Sequence, residues 1–332
     1  MKAVALLSGG LDSTLAIRLI LDQGIEVEAI TLTTPFCLCS RGAGCTNAAK
    51  RTAERLEIPL TALNVSKDFL RVVKDPKYGY GKNLNPCIDC RIMMHRRAKE
   101  RLFETGARFV ITGEVLGQRP MSQHRRALGI IERESSLEGL VLRPLSAGLL
   151  SPTIPEKKGW VDRSMLLEIR GRSRREQIRL AAEYGIRDYP CPAGGCLLTD
   201  AGFSRRMRDL MRNSEISLRD IDLLKVGRHF RLSPSSKVVI GRNEGENKRL
   251  AVLAGNGDVF FTPAKDVKGP MGVGRGDFLE MEIDKSAALL ARYCDRADGE
   301  DVAVEAWRVP DGKKRLIRTG GMQQETIESL RI

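Results

Sequence analysis

The sequence predicts an α/β protein, a doubly wound parallel sheet followed by a smaller α+β domain. Three observations carry this. Strand-like and helix-like stretches alternate through the first third of the chain, the pattern of βαβ units. Ser8-Gly9-Gly10-Leu11-Asp12-Ser13 falls between one such strand and its helix. Beyond about residue 225 the texture changes to short strands and glycine turns. A chain of 332 residues suits about two domains and can bury a core without staples.

The elements follow in order. Lys2–Leu7 is a short apolar run ending in Ser-Gly-Gly, a first strand rather than a signal peptide. Thr14–Gln23 carries Leu15 and Leu19 at helical spacing, and Gly24 closes it. Glu26–Thr34 is β-rich, Ala48–Leu56 helical and Pro59–Val65 strand-like. Ile92–Glu104 is a basic amphipathic helix ended by Gly106, and Arg108–Thr112 a buried strand. Residues 140–172 are rich in Pro and Gly and expected to be loop-heavy. Ser173 to Glu176 fits a capping box opening a helix through Glu183, closed by Gly185. Cys191-Pro-Ala-Gly-Gly-Cys196 is a glycine-rich turn. Helical patterns cover 201–213 and 217–225. Strands are expected at Lys237–Ile240, Asp258–Thr262, Phe278–Ile283 and Val302–Arg308. Gly241 and Gly245 read as hairpin glycines, and Gly272–Gly276 as a loop. The expected division is 1–200, a helical connector at 201–225, and a second domain at 226–332.

Composition narrows the function. Lys plus Arg number 55 against 42 Asp plus Glu, a net charge of +13. That points to a polyanion such as nucleic acid, or to a solvated surface that only aids solubility; charge alone leaves both open. No apolar run approaches the ~20 residues of a membrane helix, so no membrane partner is expected. The eight cysteines are too few for a disulfide scaffold of this size. The expected compartment is the reducing cytoplasm, where clustered cysteines are more often metal-binding or catalytic. Three histidines without ligand spacing argue against a histidine-built zinc site.

The loop from Ser8 to Ser13 carries the clearest chemistry. Glycines let the backbone turn sharply and approach a ligand closely. The following helix offers N–H groups and a positive dipole end to phosphate. Ser8 and Ser13 can add hydroxyl donors, and Asp12 can hold Mg²⁺ or orient the loop. The Gly-Lys-Ser/Thr of a Walker A loop is absent.

This segment resembles the pyrophosphate loop of the PP-loop ATP pyrophosphatases, or adenine nucleotide α-hydrolases. Thr112 to Gln123 resembles a strand-following segment of the tRNA 4-thiouridine synthetases (ThiI), with Glu114 where that family has Asp. Asn85-Pro-Cys-Ile-Asp-Cys90 resembles the first catalytic cysteine segment of the tRNA 2-thiouridylases (MnmA), and Cys196 sits where ThiI carries its PP-domain cysteine. Gly227–Arg231 with Val239–Asn247 is similar to the RNA-binding module of NFACT proteins, which makes 226–332 an RNA-binding domain by resemblance.

The resemblance implies ATP-dependent tRNA thiolation: a uridine carbonyl oxygen attacks the α-phosphate of ATP, pyrophosphate leaves, and sulfur displaces AMP. It implies ATP and Mg²⁺ on Ser8, Gly9, Gly10, Asp12 and Ser13, with adenosine near Thr33, Gly113 and Gln118. Asp12, Cys90 and Cys196 would be catalytic. Cys87, Cys90 and Cys196 would alternatively ligate a [4Fe-4S] cluster, or the thiols would carry persulfide sulfur. Cys191 stands as another third ligand, and Cys37, Cys39 and Cys45 as a second trio or as loop thiols. The partners are tRNA and a sulfur donor, a persulfide carrier or free sulfide, and a homodimer is allowed. Arg91–Arg101, Arg170–Arg175, Arg205–Arg212 and Lys225–Arg231 would form the RNA footprint. Two alternatives stay open: a PP-loop amide-forming enzyme, and a non-catalytic tRNA binder with a vestigial ATP loop.

Overall fold

Ala3, Val4 and Ala5 are fully buried, as the middle strand of a sheet covered on both faces requires. Successive residues alternate between faces. Ala3, Ala5 and Leu7 enter one hydrophobic core, Val4 and Leu6 the other. In the computed structural model, residues 1–37, 45–189, 195–265, 267–295 and 300–332 are described. They divide into two compact units, Met1–Asp200 and Ala201–Ile332.

In the first unit β1 (Lys2–Leu6) pairs in parallel with β2 (Glu26–Thr33) and with β4 (Phe109–Thr112). β3 (Leu60–Asn64) and β5 (Val141–Leu142) complete the order β3-β2-β1-β4-β5, all parallel. One face is covered by α1 (Leu11–Leu21), α2 (Cys45–Arg55) and α7 (Arg175–Glu183), through Leu15, Ala49 and Leu180. The other is covered by α4 (Cys87–Thr105), through Ala98 and Leu102. Burying each such leucine contributes about 1.5–3 kcal/mol. The strand order reverses direction between β1 and β4, and ligands of such sheets sit beyond the carboxyl ends of the strands there.

The remaining helices were not read from the sequence: α3 (Ser66–Lys74), α5 (Arg125–Ser135) and the one-turn α6 (Ile154–Lys157). α7 forms, but without the capping box. Its N-cap is Arg174, Ser173 only accepts from the Arg175 N–H at 3.5 Å, and Glu176 pairs with Arg179 instead.

The second unit opens with α8 (Ala201–Asn213) and α9 (Leu218–Leu223). An antiparallel sheet follows, built of β6 (Arg228–Ser233), β7 (Ser236–Ile240), β8 (Val259–Pro263), β9 (Gly272–Gly276), β10 (Val302–Arg308) and β11 (Arg315–Thr319). Its order is β11-β10-β8-β9-β7-β6. α10 (Glu244–Leu253), α11 (Glu280–Ala291) and α12 (Gln324–Leu330) lie between and after the strands. Its core is Phe230, Val238, Phe261, Leu290 and Val304.

Three local expectations are corrected. The strand expected at Phe278–Ile283 is the entry to α11, where the Leu279 N–H donates to Glu282 and Ala287 and Leu290 continue a helical period. Gly272–Gly276 is not a loop but β9, paired on both sides. Its missing side chains admit neighbours: a Cβ on Gly274 would stand 2.5 Å from the Phe278 ring. Gly245 is no hairpin glycine; it lies in the first turn of α10, capped by Asn243, which accepts from the Glu246 N–H at 3.0 Å. Among the described residues no helix is long and apolar enough to cross a membrane.

Candidate functional site

β1 ends at Leu6 and α1 begins at Leu11, with Gly10 as an N-cap that supplies no side chain to the helix. The first turn of α1 therefore presents its N–H groups uncapped by any side chain, the arrangement that favours an anion. Two hydroxyls stand beside it. Ser13 Oγ donates to the Gly10 carbonyl at 2.9 Å, and Ser8 Oγ lies 3.1 Å from Ser13 Oγ. Gly9 has φ +74°, and a Cβ there would stand 2.6 Å from the Ala49 nitrogen.

The end of β4 meets the start of α1. A Cβ on Gly113 would stand 2.4 Å from the Ser13 nitrogen. Beyond it, Gln118 Nε2 donates to Asp12 Oδ2 at 3.1 Å, while Asp12 Oδ1 is buried with no hydrogen-bond partner. The loop holding Gln118 is closed on itself, Gly117 N–H to the Gln123 carbonyl and Gln123 N–H to the Arg119 carbonyl. Ser8, Gly9, Gly10, Asp12, Ser13, Gly113 and Gln118 thus share the β1/β4 end of the sheet. Thr33 ends the neighbouring β2, where its hydroxyl donates to the Leu63 carbonyl at 3.4 Å.

Glu114 is 2 % exposed and stands 3.0 Å from Arg143 Nε, with Arg91 at 3.6 Å. Burial alone would raise its carboxyl; Arg143 and then Arg91 overcome this and hold it at about 2. His95 packs there too and is pushed down, chiefly by burial, so its ring is neutral at pH 7.

The cysteines converge from three directions. Cys87 and Cys90 lie on the first turn of α4, which starts before the predicted helix does, and Asn85 Nδ2 donates to Cys87 Sγ at 2.8 Å. Cys37, beyond the end of β2, forms an antiparallel β-bridge with Cys196. Burial pushes the Cys90 thiol up to about 12, against Arg91 and with the added charges of Cys196, Cys87 and Cys37. Burial likewise pushes Cys196 up to about 12; the Leu198 backbone opposes, while Cys37 and Cys87 add. Cys39 and Cys191 lie outside the described residues, as does the Cys45 side chain. Cys294 is buried in the second unit.

Sequence reasoning passed over Arg119, next to Gln118. Arg119 is exposed; partial loss of hydration, then Arg91, lower its pKa, while Cys87 and then Asp12 raise it. One guanidinium thus feels both the phosphate-type loop and the thiols. Its signal was its place inside the Thr112–Gln123 motif.

The basic run on α4 is largely spent on acids. Arg97 pairs with Asp68 and Glu100, Arg101 with Glu28 and Glu104, and Arg96 donates to the Glu134 carbonyl. In the second unit Arg231 pairs with Asp209 and Lys225 with Asp222. Arg172, Arg175, Arg205 and Arg212 are exposed.

Comparison with known proteins agrees with these two units. Residues 1–149 match the family model described as thiamine biosynthesis protein (ThiI), and residues 227–331 the NFACT protein RNA binding domain. The tRNA-specific 2-thiouridylase MnmA of Symbiobacterium thermophilum is 27% identical over 227 residues, covering 63% of this chain and 55% of that protein. The same enzyme of Carboxydothermus hydrogenoformans is 32% identical over 125 residues, 34% of each chain. This chain therefore spans about half, or less, of the length of the curated relatives it matches. A 4-thiouridine synthetase–RNA complex with bound ATP is 31% identical over 44% of this chain and 37% of that one, with a TM-score of 0.36. The U34-tRNA thiolase NcsA of Methanococcus maripaludis, solved with its [4Fe-4S] cluster, is 18% identical over 67% of this chain and 70% of that one, with a TM-score of 0.33.

Proposed function

Taking residues 1–149 as a PP-loop domain similar to the tRNA thiouridine synthetases, and residues 227–331 as an NFACT-type RNA-binding domain, we propose that the chain is an ATP-dependent tRNA thiolation enzyme. The observation that carries this is the shared edge of the first sheet. The uncapped start of α1, the hydroxyls of Ser8 and Ser13, and the unpartnered Asp12 oxygen lie at the β1/β4 end. The thiols of Cys37, Cys87, Cys90 and Cys196 gather nearby, with Arg119 coupled to both groups.

In this reading the phosphates of ATP lie on the Ser8–Ser13 loop, where N–H groups and hydroxyls stabilise the departing pyrophosphate. Asp12 Oδ1 fits Mg²⁺, because a buried carboxylate oxygen with no donor of its own is suited to a hard cation. Mg²⁺ there would neutralise phosphate charge. Gln118 orients Asp12, and Gly113 lets the β4 end pack directly against the backbone at the start of α1. A uridine carbonyl oxygen of tRNA attacks the α-phosphate, forming the O–P bond as the bond to pyrophosphate breaks. Sulfur, from a persulfide carrier or free sulfide, then adds to the activated carbon, and AMP leaves with the oxygen. Cys90 and Cys196 are the thiols assigned to that delivery.

A [4Fe-4S] cluster would be held by Cys87, Cys90 and Cys196, and would supply an iron able to bind sulfide. Each of the three thiolates would bind a different iron, so they need to face one cavity and not one ion position. Cys90, raised chiefly by burial, lies close enough to Cys196 and Cys87 for both to raise its pKa further. No step is routed through a cluster.

The test is ATP cleavage with purified tRNA and inorganic polysulfide as the sulfur donor. Formation of AMP and pyrophosphate that requires tRNA and fails in Asp12→Ala supports adenylation. Cys196→Ser should keep AMP transfer to RNA and lose sulfur incorporation. ATP cleavage independent of tRNA but dependent on an amine would favour the amide-forming alternative.

A further inference from the structure

Cys37 and Cys196 face each other in an antiparallel bridge whose pattern is set by the Leu197 N–H donating to the Phe36 carbonyl at 2.8 Å. That bond, running between flanking residues and not between Cys37 and Cys196 themselves, makes 37 and 196 a non-hydrogen-bonded pair. Such pairs hold their Cα atoms about 4.5 Å apart, with side chains on the same side of the ladder. A disulfide needs Cα atoms about 4.4–6.8 Å apart. The bridge therefore sets two thiols in disulfide register without movement of the backbone. Thr34 Oγ1 lies 3.6 Å from Cys37 Sγ and orients it. Cys87 and Cys90 sit on the first turn of α4, and neither is paired to Cys196 by a backbone ladder.

We propose that Cys37 is a third working thiol, the resolving partner of Cys196. The proposal rests on the thiolation reading for its purpose, but its chemistry is independent of RNA and ATP. Cys196 carries a sulfane sulfur as Cys196–S–SH, delivered by a donor of the persulfide or polysulfide class. The Cys37 thiolate attacks Cys196 Sγ. The Cys37–Cys196 S–S bond forms, the bond to the outer sulfur breaks, and its electron pair leaves as hydrosulfide. The outer sulfur is thereby reduced by two electrons and the two thiols are oxidised to a disulfide. Hydrosulfide is then free to attack the adenylated carbon. An external dithiol returns the pair to thiols by exchange.

The experiment loads the reduced full chain with inorganic polysulfide under anaerobic conditions, without RNA or ATP. It reads sulfide release, and disulfide linkage by peptide mass spectrometry. Wild type should release sulfide and yield the Cys37–Cys196 linked peptide. Cys37→Ser should retain persulfide on Cys196 and release sulfide about tenfold more slowly or worse, because the intramolecular thiol is gone. Cys294→Ser, in the core of the second unit, should still form the Cys37–Cys196 link. Far-UV circular dichroism and the melting midpoint of each variant establish that it is folded, and Cys37→Ala provides a second variant at the site. Undiminished sulfide release in folded Cys37→Ser, a Cys90–Cys196 link in wild type, or iron bound at Cys196 after anaerobic reconstitution would overturn the proposal. If this exchange occurs while tRNA is never thiolated, the thiolation reading fails and the dithiol stands. If tRNA is thiolated with Cys37→Ser at the wild-type rate, the reverse holds.

Discussion

A methyl group on Gly113 would stand 2.4 Å from the Ser13 nitrogen and 2.6 Å from the Asp12 carbonyl carbon, both backbone atoms that cannot swing aside. Gly113→Ala should therefore push the β4 end from the start of α1 and cost about 1–3 kcal/mol of stability, seen as a lower urea midpoint with an unchanged slope; an unchanged midpoint would show that the two backbones are not in contact. Glu114 makes a different demand. Its carboxyl sits at about 2 against an ordinary 4.5, so the folded chain binds fewer protons than the unfolded one in that interval. Its contribution is complete above pH 4.5 and is lost as pH falls toward about 2. Glu114→Gln should flatten the acid limb of the stability profile there. It should also cost about 3–5 kcal/mol at pH 7, because it leaves the Arg143 guanidinium buried beside one acid fewer, Glu132. Equal acid limbs in the two proteins would contradict the assignment.

Elements show what the sequence makes legible and what it hides. The Ser8–Ser13 loop was readable because apolar strand, glycine turn and helix follow one another locally; the β1/β4 pairing, between distant stretches of chain, was not. α11 was misread because Phe278 and Ile283 have strand-like side chains, while the helix signal is the Leu279–Glu282 cap and a long apolar period. β9 was missed because its glycines carry no β-propensity; they are there to admit Phe278 and Leu290. The Cys37–Cys196 pairing joins residues 159 apart in number, a contact that no local pattern carries. Within the basic run on α4, Arg97 and Arg101 are paired with Asp68, Glu100, Glu28 and Glu104, acids that the run itself does not show. Arg205 and Arg212 on α8 are exposed. In fluorescence-anisotropy titrations of tRNA across salt, Arg205→Glu with Arg212→Glu should weaken binding and make the log–log slope shallower by about 1–2. Arg101→Ala should leave the slope alone. The opposite ranking would place RNA on α4.

At the scale of the molecule, each unit has its own sheet and its own core, which is what an independently folding domain requires. Residues 201–332 expressed alone should unfold in a single cooperative urea transition; a gradual, non-cooperative loss of signal would show that the second core is incomplete. Arg97 and Arg101 on α4 are spent on acids, so in the proposed tRNA reading the part of the +13 charge left for phosphate is expected on exposed arginines such as Arg205 and Arg212. The central claim joins the two units in one reaction, activation of a uridine by ATP and its sulfuration on a tRNA. It is tested most directly by mass spectrometry of nucleosides from total tRNA of a strain lacking this protein, with complementation by wild type and by Asp12→Ala. Loss of one thiolated nucleoside, restored by wild type and not by Asp12→Ala, is the predicted result. A nucleoside profile identical to that of the parent strain would contradict it.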